Sequence, residues 1–326
     1  MKAPDHKIST YRPPLWLRGG HAQTVYALVL KGSIPTMTRH RWETPDGDFI
    51  DVDFLPARAG APLVVLFHGL EGSARSHYAR ALMRALDARG WNGAVVHFLG
   101  CSGEPNRLPR AYHSGDWPEI DWVLRRMRTL YSDAPLFAVG ISMGGNALLK
   151  WLGKLERVAT AVIDGAASVC APVDLAAAGR ALERGFNRVY TRHFLRTLKP
   201  AALAKLARFP GLYERQRLVA ACTLYDFDDV VTAPLHGFQG ASDYWLRASA
   251  KPWLGRIRVP TLLLNARNDP FLPAEFLPRE NEVSRDVLCE FPADGGHVGF
   301  VSGPFPGHID WLPARLMAFF APLSGH

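Results

Sequence analysis

Cysteine is scarce in this chain, with four in 326 residues: Cys101, Cys170, Cys222 and Cys289. No two form a Cys-x-x-Cys pair, and none sits beside a histidine at metal-ligand spacing. That argues against a zinc site and a disulfide framework. No apolar run approaches the length of a membrane-spanning helix. The opening Met1-Lys2-Ala3-Pro4-Asp5-His6 lacks the apolar centre of a secretory signal. The expectation is a cytoplasmic protein with no metal or organic cofactor, for which a weak peripheral membrane contact stays open. Acidic residues are outnumbered, 30 against 38 Lys and Arg, for a net charge of +8. The excess is scattered, and its densest cluster is Arg125, Arg126 and Arg128, which reads as a solvated face of an amphipathic helix. No nucleic-acid motif accompanies it, so no nucleic-acid partner is expected.

Apolar residues, at 48%, are ample for a core. Short apolar runs at about 63–67, 93–98, 135–140, 160–167, 260–265 and 286–291 read as buried strands. Helical patterns lie at about 77–89, 117–130, 143–154 and 308–320. Strands alternating with helices predict an α/β fold with a mostly parallel sheet flanked by helices. Residues 39–54 read as a hairpin turning at 44–48, and residues 1–35 as an irregular arm with apolar anchors. Between 172 and 250 the alternation breaks. Residues 175–208 read as two or three short helices and 227–234 as a loop. The expected organisation is a core of 36–171 and 251–326, carrying a helical lid at 172–250.

One stretch carries chemistry. Gly140-Ile141-Ser142-Met143-Gly144-Gly145 follows an apolar strand and opens a helix. Glycine two before and two after a serine permits a turn too sharp for side chains, which leaves the hydroxyl of Ser142 exposed. A nucleophilic serine needs a base, and the base needs an orienting acid. Asp269 lies beyond the end of the strand 260–265, and His297 follows two glycines in a loop. The order Ser142, Asp269, His297 is that of hydrolases of the α/β type. Asp294 is the nearest rival acid but reads as a turn former. His308 is the alternative base, on the final helix. His68-Gly69-Leu70 after the strand 63–67 has the form of an oxyanion loop. The backbone N–H groups of Leu70 and Met143 are the expected donors, and Glu71 also belongs to this loop.

These segments together resemble the α/β-hydrolase superfamily, and within it the YheT/embryogenesis-associated esterase branch, which includes phospholipase-like lipases. The resemblance extends to Gly20-His21-Ala22-Gln23-Thr24, Gly100-Cys101-Ser102-Gly103, Tyr112-His113-Ser114-Gly115, Asn268-Asp269-Pro270 and Gly295-Gly296-His297-Val298-Gly299-Phe300. The chain departs from the branch at His97-Phe98-Leu99-Gly100, where relatives often have Asn-x-Arg-Gly, and at Tyr244-Trp245, often paired tyrosines. The resemblance implies esterase activity. Some relatives take medium-chain esters, some take phospholipids, and some transfer the acyl group to alcohols.

The expected activity is hydrolysis of a small-molecule or lipid carboxylic ester, with a short- to medium-chain acyl group or a lipid one, through an acyl-enzyme on Ser142. The alternatives are acyl transfer to an alcohol and a non-catalytic scaffold. Phe186, Leu195, Leu198 and Trp245 are the lid side chains expected to favour an acyl chain, with Trp245 as the candidate substrate contact.

Overall fold

The computed structural model describes residues 11–30 and 32–325. The opening hexapeptide read above lies outside them. Eight strands form one sheet: β1 (Thr38–Glu43), β2 (Phe49–Phe54), β3 (Leu63–Phe67), β4 (Asn92–His97), β5 (Leu136–Ile141), β6 (Gly165–Val169), β7 (Thr261–Leu264) and β8 (Val287–Glu290). Their order is β1-β2-β4-β3-β5-β6-β7-β8. The hairpin β1–β2 joins antiparallel to β4, and every other pairing is parallel. Strands β3, β4, β5 and β6 are buried along their whole length. That is why they read as continuous apolar runs rather than alternating ones.

Helices cover both faces. α2 (His77–Arg89) and the C-terminal α11 (Trp311–Phe320) pack on one side, and α3 (Trp117–Leu130) and α4 (Met143–Leu155) on the other. Ahead of the sheet comes α1 (Gly20–Ala27), and between β6 and β7 lie α5 (Leu175–Leu182), α6 (Arg188–Arg208), α7 (Arg215–Ala220), α8 (Leu224–Phe227), α9 (Ala233–Leu235) and α10 (Ala241–Ala248). Among the described residues, no helix is long and apolar enough to cross a membrane. All four cysteines are free thiols.

Five local expectations are corrected. The arm is not irregular at 20–27, where α1 buries Gln23, Thr24 and Ala27. The run 160–167 is not all strand: 156–161 form a 3₁₀ turn, and β6 begins at Gly165. Val162 and Ile163 are apolar because they pack against the core below α4, not because they pair. The final helix starts at Trp311 rather than 308, because Ser302 and His308 form an isolated bridge ahead of it. Residues 188–208 make one 21-residue helix rather than short pieces, with Pro200 inside it. The stretch 227–234 is helical, including a π turn at Asp228–Thr232. There the carboxylate of Asp228 accepts from Thr232 Oγ1 at 2.6 Å and Trp245 Nε1 at 2.8 Å. Val230 and Val231 turn inward into an apolar cluster with Leu195, Leu198 and Leu218.

The helical segment is tied to the core by two side chains of α4. Asn146 Nδ2 donates to the carbonyls of Ser114 at 2.8 Å and Ala248 at 2.9 Å, and its Oδ1 accepts from the Ala250 N–H at 2.9 Å. Lys150 Nζ donates to the Arg247 carbonyl at 2.6 Å. Burial and the nearby Lys154 and Arg247 charges lower the Lys150 pKa to about 8.

At the far edge, α11 is pinned to β8 by a buried ion pair, Arg315 with Glu290, whose side chains are 3% and 4% exposed. Arg315 Nε donates to both carboxylate oxygens, at 2.9 and 3.1 Å, and Nη2 donates to Oε1. Removing one partner leaves a buried charge alone. Arg315→Ala is therefore expected to cost about 3–5 kcal/mol in urea unfolding. The double change Glu290→Leu with Arg315→Met should cost clearly less, because it leaves no charge unpaired.

Candidate active site

The elbow forms where β5 meets α4. Ser142 sits at φ 53°, a left-handed conformation unusual for a residue with a Cβ. The glycines around it are there for close approach. A Cβ on Gly140 would lie 2.5 Å from the Gly144 carbonyl oxygen and 2.6 Å from the Gly145 Cα. One on Gly144 would lie 2.5 Å from the carbonyl oxygens of Phe67 and His68. The elbow thus packs its own backbone against itself and against the end of β3.

Three predicted side chains meet here. His297 Nε2 lies 2.9 Å from Ser142 Oγ. His297 Nδ1 lies 2.9 and 3.1 Å from the two oxygens of Asp269. Asp269 is almost fully buried and His297 nearly so, their side chains 1% and 11% exposed. Phe271 stacks on the imidazole, with centroids 3.9 Å apart and planes 17° apart, and its N–H donates to Asp269 Oδ1 at 2.8 Å. The rivals lie elsewhere. Asp294 accepts from Asn268 Nδ2 at 2.9 Å. His308 is half exposed before α11, with Nδ1 3.2 Å from Asp310.

The loop after β3 is held on several sides. His68 Nδ1 donates to the Gly69 carbonyl at 2.7 Å, and Nε2 accepts the Phe98 N–H at 3.2 Å. Complete burial lowers its pKa to about 3, so the ring is neutral and holds this tautomer. Tyr78 Oη accepts the Gly69 N–H at 3.0 Å. Tyr112 Oη accepts the Glu71 N–H at 3.0 Å and donates to Glu71 Oε1 at 2.7 Å. Glu71 therefore shapes the loop, at φ 56°. Among the described residues, neither the Leu70 nor the Met143 backbone N–H has a hydrogen-bond acceptor, and both residues line the cavity that Ser142 lines.

Sequence reasoning quoted Gln23 and Thr24 only as part of a motif and gave them no task. In the structure they bridge the loop of Asn268 and Asp269 to the loop of Gly295 to His297. Gln23, fully buried, accepts at Oε1 from the Gly295 N–H at 2.9 Å and from Asn268 Nδ2 at 3.0 Å. Thr24 Oγ1 accepts the His297 N–H at 2.8 Å and donates to the Gly20 carbonyl at 2.7 Å. Asn268 Oδ1 accepts the Gly296 N–H at 2.9 Å. The docking is tight, since a Cβ on Gly20 would lie 1.9 Å from the Asn268 carbonyl oxygen. The available signal was two polar residues buried on one face of a short helix.

Ser142 opens into a cavity of about 400 Å³, roofed by the helices between β6 and β7. Leu182, Phe194, Leu198, Phe227, Val231 and Trp245 contribute its apolar wall. Of the four side chains expected there, Leu198 and Trp245 reach it. Leu195 packs inside the helical cluster instead, and Phe186 is exposed against His21. Trp245 also borders an outer groove of about 1070 Å³, so its indole separates groove from cavity. The indole lies over Gly179, where a Cβ would meet it at 2.2 Å.

Among the described residues, Cys170, Asp269 and His297 offer donor atoms within 4.8 Å of one another. As a metal set it fits poorly. Burial and the Asp269 charge push the Cys170 thiol well above its usual pKa, whereas a ligand must be thiolate. Asp269 and His297 are already bonded to each other.

Residues 62–304 match the family profile described as alpha/beta hydrolase fold. Over 302 residues the chain is 41% identical to YheT of Escherichia coli (strain K12), whose name carries the word esterase, covering 91% of this chain and 88% of that protein. It is 26% identical over 328 residues to mouse phospholipase ABHD3, covering 97% of this chain and 79% of that protein. Among solved structures, the Pyrococcus furiosus esterase Pf2001 shares the fold, with a TM-score of 0.56 at 16% identity over 89% of this chain and 94% of that one. The chain belongs to the α/β-hydrolase fold family, on the branch that includes YheT, ABHD3 and the embryogenesis-associated protein of Picea glauca.

Proposed function

We propose that this protein hydrolyses carboxylic esters with a medium-length or lipid acyl chain through an acyl-enzyme on Ser142. The observation that carries the reading is the continuous relay Ser142 Oγ, His297 Nε2, His297 Nδ1, Asp269 at 2.9 Å per step, on the wall of an apolar cavity. The names of the relatives, esterase and phospholipase, support the same substrate class.

With Nδ1–H donated to Asp269, Nε2 carries the lone pair that takes the Ser142 proton. Oγ then bonds to the ester carbonyl carbon, and the carbonyl oxygen becomes an oxyanion. The free Leu70 and Met143 N–H groups are its donors, each contributing about 3 kcal/mol to the barrier reduction. The imidazolium gives its proton to the departing alkoxide as the ester C–O bond breaks. Water repeats the sequence on the acyl-enzyme: Nε2 takes a water proton, and Ser142 leaves with it. Asp269 holds the tautomer and stabilises the imidazolium without itself gaining a proton. The helical segment 172–250 would act as the cover that shapes the acyl site.

Ser142→Ala is expected to abolish turnover of p-nitrophenyl acetate and labelling by a fluorophosphonate, with an unchanged melting temperature. Labelling that persists, or maps to Ser73 or Ser168, overturns the assignment. Asp269→Asn should lower kcat on the order of 10⁴-fold by trapping the wrong tautomer, and Asp294→Asn far less.

Gln23→Leu strips the Gly295 N–H and the Asn268 amide of their shared acceptor. It should lower kcat on the order of 10²-fold through displaced loops. KM for the acetate ester should hardly move, since Gln23 does not line the cavity. A change in KM alone would contradict a positioning role.

Trp245→Ala should merge groove and cavity. The octanoate-to-acetate ratio of kcat/KM is expected to shift by several-fold, within the about 1–3 kcal/mol that an apolar contact set can discriminate. A fall in melting temperature with no change in the ratio would make the indole a packing element alone.

A further inference from the structure

We infer that the outer face of α6, with the neighbouring face of α1, is a docking surface for an anionic phospholipid bilayer. This goes beyond the hydrolytic reading and does not depend on its chemistry.

The observation is an arginine series without counter-charges. Arg184, Arg188, Arg192 and Arg196 recur every four residues, all are exposed, and none has a hydrogen bond, ion pair or ring partner for its side chain among the described residues. From 184 to 213 the chain has five Arg and two Lys and no Asp or Glu. Arg125, Arg126 and Arg128, the densest basic cluster in the sequence, lie on α3 and are by contrast partnered. Those three are engaged, Arg125 with Asp121, Arg128 with Asp164, and Arg126 over the rings of Trp42 and Trp122. Like charges four apart on a helix repel. Arg188, Arg192 and Arg196 lie on α6 itself, and Arg184 just before it, so the three lower the stability of an isolated α6 and favour negative charge from outside.

Apolar side chains stand beside it. Phe186 and Val189 are 55% and 48% exposed. The Phe186 ring touches His21 at 4.7 Å, which joins this patch to α1. Val25 on α1, and Leu28 and Val29 in the turn that follows it, are 44%, 51% and 64% exposed. A basic series next to an exposed apolar stripe suits a helix lying in the headgroup region of an anionic membrane. A nucleic acid would engage the arginines and leave the stripe without a role. The inner face of α6 contributes Phe194, Leu198 and Ala202 to the cavity, so one helix links the surface to the site.

The test is co-sedimentation of the full chain with vesicles of phosphatidylcholine alone or mixed with phosphatidylglycerol, at low and high salt. The chain should bind the mixed vesicles, weaken with salt, and leave phosphatidylcholine largely unbound. Each basic residue near such a surface contributes about 1 kcal/mol, or about fivefold. Arg188→Gln, Arg192→Gln and Arg196→Gln together should thus weaken binding on the order of 100-fold. Turnover of p-nitrophenyl acetate should be unchanged. Leu28→Ser should weaken binding at both salt concentrations. Absence of binding to the mixed vesicles overturns the inference, as does a triple variant that binds like wild type. Tighter binding to a DNA duplex than to vesicles overturns it in favour of a nucleic-acid surface. Loss of ester turnover in the wild type would defeat the hydrolase reading alone.

Discussion

The site depends on a contact that excludes side chains. At the crossing of β5 and α4 the backbone passes itself so closely that a Cβ on Gly140 would sit 2.5 Å from the Gly144 carbonyl oxygen. That closeness drives Ser142 into its left-handed conformation. A strained φ of this kind costs on the order of 1–3 kcal/mol and persists only where the surroundings over-determine it. Here the surroundings are the buried sheet on one side and α4 on the other. The same crossing brings the first N–H of α4 and the end of β3 to one spot. Ser142 and the Leu70 and Met143 N–H groups thus come to one place through a single packing event.

Asp269 and His297 come from separate loops after the paired strands β7 and β8, and those loops are joined directly by the Arg267 N–H to the Pro292 carbonyl at 2.8 Å and by Asn268 to Asp294 and Gly296. α1 adds a further tie. Gln23 and Thr24 satisfy N–H groups of the Gly295–His297 loop and the side chain of Asn268 in one buried cluster. Buried donors left unpaired cost about 1–3 kcal/mol each. Docking of α1 therefore adds to the stability of the loops in this relation. A segment that reads as an arm is part of the support of the site.

Above the site, the helical segment is a small cluster of its own, built on Leu195, Leu198, Leu218, Phe227, Val230 and Val231. Its attachment to the core is partly polar, through Asn146 and Lys150, and partly apolar, through Ala177, Ala178 and the packing of Tyr190 on Phe271, and its contact with the cavity is apolar. Trp245 sits at that division, its Nε1 on Asp228 and its ring over Gly179. Burial raises the Asp228 pKa to about 6, and its hydrogen bonds to Thr232 and the indole partly oppose that rise.

Much of the core was legible because its signals are local. Continuous apolar runs gave β3 to β8 within a few residues, and the helices at 77–89 and 117–130 coincide with their patterns. The glycines around Ser142, and the strand ends before Asp269 and His297, are patterns that neighbours in sequence impose on one another. The misread stretches are those whose structure depends on distant partners. Residues 227–234 are polar enough to read as a loop, and become helical because Trp245 and Thr232 take up the Asp228 carboxylate. The apolar residues at 162–163 look like strand because burial, not pairing, selects them. By itself, then, the sequence determined the α/β alternation, the elbow and the choice of Ser142, Asp269 and His297 as the residues to examine together. Tertiary structure alone decided that Ser142, Asp269 and His297 lie 2.9 Å apart in series, that Gln23 and Thr24 brace them, and that four arginines face solvent unpaired among the described residues. The reason is physical: hydrogen bonds between loops far apart in sequence, and the absence of a counter-charge, are properties of what folding brings near, which no local pattern encodes.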